Sequence, residues 1–182
     1  MKNIPFPTLI LSVYLLCSGI DAFPASQAEH STFLEWGTTI DIMKKSNDAR
    51  YTLFTPIEKP EYKNRIIKHL SRMDEGLLKK IIIMRIKSEK QVDYLFLDGK
   101  LFSVLEDWGK VDGQKLADLK KSLAGKYGEP TVRSGDRFTV YSFNNASSRI
   151  FCYATPYKGG KTRCRIYYYT KKLYKMLLLD NQ

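Results

Sequence analysis

The residues whose types and spacing bear most directly on chemistry lie near the C-terminus. Cys152 and Cys164 flank the turn-rich run Pro156-Tyr157-Lys158-Gly159-Gly160, which predicts a hairpin between strands over Arg149–Thr155 and Thr162–Thr170. Side chains alternate across a strand, so Ile150, Cys152 and Ala154 share one face with Cys164, Ile166 and Tyr168 of the partner strand. Two cysteines so placed are expected to form a disulfide in an oxidising compartment. A bridge closing so short a loop contributes about 2–3 kcal/mol. The competing readings are two free buried thiols or a redox-active pair, though no CxxC motif accompanies either cysteine.

The opposite face of the same hairpin carries Phe151, Tyr153, Arg163, Arg165, Tyr167 and Tyr169, followed by Lys171, Lys172 and Lys175. Aromatic planes supply contact area and guanidinium forks supply two-pronged anion contacts, so these residues form the candidate binding face. Three readings stay open. The tyrosines pack under a helix while the arginines reach to water, the face binds a protein or an acidic glycan, or it stacks single-stranded nucleic acid.

Elsewhere catalytic chemistry has few carriers. The two histidines are His30 and His69; with the cysteines bridged, too few ligands remain for a His/Cys metal site. A nucleophilic mechanism would rest on His69, near Ser71 and Asp74. Glu106 and Asp107 beside Trp108, with Asp93, are the carboxylates available for paired acid–base work. As neighbours in a strand, Glu106 and Asp107 point to opposite faces. The glycines at 109, 113, 125 and 128 form no phosphate-cradling loop. No catalytic residue, cofactor or metal is expected. Asn145-Ala146-Ser147 is a glycosylation sequon on a turn, relevant in a eukaryotic secretory route.

These residues depend on a compartment and a scaffold. Lys2, the apolar run Ile4–Leu16 and the small-residue segment Ala22–Ala28 predict an export signal over residues 1–28, cleaved before Glu29 or, second, after Ala22. The run is short and interrupted by Pro5 and Pro7, which argues against a bilayer span of about 30 Å. Leu15-Leu16 before Cys17 argues against a lipid-attachment site. Residues 29–182 are then expected to form a single α+β domain in a periplasmic or secreted setting. The net charge of +11 among 182 residues is spread along the chain and favours an anionic partner, whether protein, envelope lipid or polymer; export makes nucleic acid the least expected.

The elements follow from period and punctuation. A helix from Thr38, which can cap it, runs to about Lys45, and Tyr51–Thr55 reads as a strand. Ile66, Ile67 and Leu70 in the polar stretch 58–76 fit a short helix or a loop. Lys80–Lys87, with Ile81-Ile82-Ile83-Met84, fits a strand covered on both faces. Val92–Leu97 and Lys100–Asp107 flank Asp98-Gly99, a strong hairpin signal. Gly113–Gly125 places Leu116, Leu119 and Leu123 on one helical stripe, and Arg137–Phe143 precedes the final hairpin. The expected architecture is an antiparallel sheet from two helix-then-meander units, with helices packed on one face.

Tyr94-Leu-Phe-Leu-Asp-Gly-Lys-Leu-Phe-Ser-Val104, followed by Leu119-Lys-Lys-Ser-Leu-Ala-Gly-Lys-Tyr-Gly-Glu-Pro130, resembles a pattern of small exported bacterial proteins of unknown function. In layout, over residues 36–175, the chain is similar to the helix–meander modules of outer-membrane assembly lipoproteins of the BamE/SmpA type. Their tandem form resembles the β-lactamase-inhibitor-protein architecture. The resemblance implies protein binding and brings no catalytic residues. The expected function is a non-enzymatic binding or envelope-assembly module engaging an acidic protein or polymer. The alternatives are a cell-envelope hydrolase using Glu106, Asp107 or His69, and a secreted inhibitor of an extracellular enzyme.

Overall fold

The computed structural model describes residues 35–46, 50–62 and 64–173. The leader over 1–28 with its cleavage sites, His30 and the tail from residue 174 lie outside the described residues.

The chain runs through α1 (Ile40–Lys45), β1 (Tyr51–Phe54), α2 (Arg65–Met73) and a 3₁₀ segment (Glu75–Lys80). Then come β2 (Ile81–Lys87), β3 (Gln91–Leu97), β4 (Lys100–Val111) and α3 (Gly113–Tyr127). The last four strands are β5 (Thr131–Gly135), β6 (Phe138–Asn144), β7 (Ser148–Pro156) and β8 (Thr162–Thr170). All eight strands join one sheet in the order β1-β2-β3-β4-β8-β7-β6-β5, and every pairing is antiparallel. The α+β class with an antiparallel sheet is therefore what the chain adopts. Among the described residues no helix is long and apolar enough to cross a membrane.

Local chemistry explains the joints. The β3–β4 turn places Asp98 at φ 49° and Gly99 at φ 74°, the left-handed pair that a tight hairpin with right-twisted strands requires. Asp112 caps α3 by accepting from the Lys115 N–H at 2.7 Å, and Asn64 caps α2 by accepting from the Ile66 N–H at 2.9 Å. Thr39, not Thr38, occupies the α1 cap position; the Thr38 hydroxyl donates to the Glu35 carbonyl instead.

The sheet is covered on both faces, which corrects the expectation of helices on one. Ile40, Met43, Leu116, Leu119 and Leu123 of α1 and α3 pack over Met84, Tyr94, Phe96, Val104, Phe143, Ile150 and Ile166. On the opposite face Ile66, Ile67 and Leu70 of α2 pack over Ile81, Ile83, Leu95 and Leu105. The reason lies in β2 and β3, whose side chains are apolar on both pleat faces; each face needs its own cover, since apolar burial stabilises by about 25 cal/mol per Å². The 3₁₀ segment and α2 fall between β1 and β2, where a helix-then-meander unit has no helix.

Candidate functional site

Phe151, Tyr153, Arg163, Arg165, Tyr167 and Tyr169 lie on one face of the β7–β8 hairpin, as parity requires. Opposite residues in the register are Phe151 and Tyr167, and Tyr153 and Arg165. This is the α2 side of the sheet. Tyr167 and Tyr169 are buried as members of the α2-side core, with Phe151 and Tyr153 packed half-buried at its margin. Tyr153 meets Tyr167 edge-on at 5.5 Å between ring centres, and Phe151 lies 5.8 Å from Tyr169 at 50°. Phe138, from β6, adds a ring 6.1 Å from Tyr153 and is 45% exposed. The rings stand tilted against one another rather than stacked.

Asp107 organises the two arginines. It lies directly across from Arg165 in the β4–β8 register. One of its carboxylate oxygens, Oδ2, accepts from Arg165 Nε at 2.9 Å and from Arg163 Nη2 at 3.2 Å. The other, Oδ1, accepts from the Gly109 N–H at 2.9 Å. Burial pushes the Asp107 pKa up, but the Gly109 N–H and the two guanidinium groups outweigh it and hold the carboxyl below its usual value. Burial pushes the Tyr167 phenol up, against the opposing charge of Arg165. Tyr153, Thr155, Arg163, Arg165 and Tyr167 line a shallow pocket of about 200 Å³ beside this carboxylate.

Sequence parity finds the six hairpin residues and, by the same alternation, puts Thr155 on their face, but it does not join Asp107 or Phe138 to them. The available signal is Gly109, a glycine inside a strand pattern. Gly109 sits at φ 65° where the β4 register shifts, just past Asp107, and its N–H is aimed at the Asp107 carboxylate.

The paired-carboxylate reading does not survive the geometry. Glu106 points to the α3 side, where it pairs with Lys90 at 2.9 Å and accepts from Trp108 Nε1 at 3.0 Å. Asp107 points to the other side. Asp93 is fully buried and committed to Arg85 and Tyr62. The His69 backbone lies in α2, and its side chain lies outside the described residues. Among the described residues no three His, Cys, Asp or Glu side chains converge on one point.

The expected disulfide is also corrected. Cys152 and Cys164 are both fully buried free thiols with their sulfurs 3.7 Å apart. Cys152 stands opposite Ile166, and Cys164 stands opposite Ala154, so the two cysteines are diagonal neighbours. The contact with Cys152, reinforced by burial, pushes the Cys164 thiol up.

Comparison with protein-family models, curated proteins and solved structures returns no match.

Proposed function

We propose that the protein is a non-enzymatic binding module, exported to a periplasmic or secreted setting, that engages an acidic protein or polymer through the β7–β8 face. One observation carries this reading. The aromatic cluster at the edge of the α2-side core ends in a half-exposed margin where two arginines share a single carboxylate. Counting Arg163, Arg165 and Asp107, the margin keeps a net positive charge, and tyrosine and arginine are among the side chains in which interface energy concentrates. The overall charge of +11 steers anionic partners to any part of the surface; the margin gives them a place to be held. The helix–meander resemblance, with its protein-binding modules, points the same way. A hydrolase working through Glu106 and Asp107 as a glycosidase-type acid–base pair needs the two carboxylates to converge, and they point to opposite faces of the sheet.

Retention of the full chain on immobilised polyglutamate, eluted by salt, tests the proposal. Arg163→Ala/Arg165→Ala is compared with Lys44→Ala/Lys121→Ala, which removes the same charge from surfaces away from the face. The hairpin variant is expected to elute at clearly lower salt than the lysine variant. Equal elution of the two variants removes the face from consideration.

A further inference from the structure

We propose that the pocket beside Asp107 receives one acidic side chain of a protein partner, and that Asp107 is the resident carboxylate which that side chain displaces from Arg163. The inference rests on the binding-face reading above and narrows it to a protein ligand with a stated mode of entry.

Three observations select a protein over a polymer. Stacking of sugars or bases needs aromatic faces turned outward in succession, whereas Tyr153 and Tyr167 meet at 81° and Tyr167 and Tyr169 are 8% and 7% exposed. The cluster offers edges and a groove, which suit side-chain insertion. The volume of about 200 Å³ falls below the roughly 300–1,000 Å³ of sites that enclose small molecules. Finally, the apolar rings of Phe138 and Phe151 pack against Tyr153, which lines the pocket, so the matching surface carries apolar groups beside its acidic one.

Asp107 shows how a carboxylate is held here. It takes one N–H from each guanidinium, Nε of Arg165 and Nη2 of Arg163, out of the five that each group carries. The two contacts are unequal. Arg165 is opposite Asp107 in the register and bonds at 2.9 Å, while the Arg163 side chain is 49% exposed and bonds at 3.2 Å. An incoming carboxylate therefore takes Arg163 first, leaving Asp107 with Arg165 and the Gly109 N–H. Asp107 thus competes for the cation that the ligand needs, weakening binding of any single carboxylate. It also keeps Arg165 aimed along the pocket wall, which makes it a positioning and selectivity residue.

Fluorescence anisotropy tests this with two dye-labelled probes: a peptide of alternating glutamate and leucine, and a sulfated dextran oligomer of equal charge. The full-length chain is compared with Asp107→Asn, Arg163→Ala/Arg165→Ala and Asp118→Asn. The last changes net charge equally from the exposed side of α3, and melting curves establish that each variant is folded. Asp107→Asn is expected to bind the peptide about fivefold more tightly, beyond any change in Asp118→Asn. Arg163→Ala/Arg165→Ala is expected to lose peptide binding at least tenfold, with the dextran oligomer shifting less than threefold in every variant. If the arginine variant binds the peptide as the parent does, the binding face itself is wrong. If that variant loses binding while Asp107→Asn is unchanged or weaker, the face stands and the displacement is wrong. A dextran response that tracks both variants while the peptide does not makes the ligand a polymer and overturns the proposal.

Discussion

Arg85 and Asp93 face each other across β2 and β3, and the fully buried Asp93 carboxylate takes two bonds from one guanidinium, at 2.7 Å from Nε and 2.9 Å from Nη2. Tyr62 donates to the same carboxylate at 2.9 Å, and the Asn64 side-chain amide donates to the Tyr62 hydroxyl at 3.1 Å. Burial, reinforced by the Asp93 charge, pushes the Tyr62 phenol pKa up and keeps it a donor. Asn64 also caps α2, so this polar chain fastens the second-face helix to the sheet. Arg85→Ala leaves a buried carboxylate short of its main partner and is expected to cost about 3 kcal/mol in urea unfolding. Arg85→Met/Asp93→Leu is expected to cost less than the single change. A loss under about 1 kcal/mol in Arg85→Ala would mean that water reaches Asp93.

The Asp107 carboxyl titrates below its unfolded value, so its contribution to stability is full above about pH 3.9 and is lost as pH falls through the lower folded value. The stability difference between the parent chain and Asp107→Asn is therefore expected to shrink from about pH 5 to about pH 2 in denaturant melts. A difference that is constant over this range would show that the Gly109 N–H and the two arginines do not depress the carboxyl.

Cys152 and Cys164 are expected to be recovered as thiols when the folded protein is digested and mass-mapped without reductant. Both are fully buried, so alkylation should be slow in buffer and fast in denaturant. A Cys152–Cys164 cross-link in the map would contradict the free thiols.

Gly99 sits at φ 74° in the β3–β4 turn, and a Cβ added there meets nothing within 4 Å. Gly99→Ala therefore brings no clash, and its cost is conformational alone, expected at about 1 kcal/mol from the thermal midpoint. No change would imply that the turn has rearranged.

Much of the scaffold is legible from local rules. Asp98-Gly99 marks its hairpin, Leu116, Leu119 and Leu123 mark α3, and the β8 limits agree with the apolar-aromatic run. β5 escapes because Thr131–Gly135 is exposed throughout and has no apolar period. α2 is ambiguous in sequence because its three core residues sit among charged ones; the Asn64 cap and the apolar underside of β2 and β3 decide for helix. The site is half legible. Parity gives the face on which Tyr153 and Arg165 lie, but a partner on β4 is invisible to parity. Joining Asp107 to Arg163 and Arg165 requires knowing that β4 and β8 are the strands that meet at the middle of the sheet. The stagger separating Cys152 from Cys164 is likewise a property of the turn between the strands, which face assignment does not carry.

The binding face is tested most directly by amide chemical shifts of the ¹⁵N-labelled full chain titrated with the glutamate–leucine peptide. Shift changes are expected to concentrate at Tyr153, Thr155, Arg163, Arg165, Tyr167 and Asp107, to fade with added salt and to vanish in Arg163→Ala/Arg165→Ala. Changes spread over the lysines of α3, with the β7–β8 hairpin unmoved, would contradict a binding face on that hairpin.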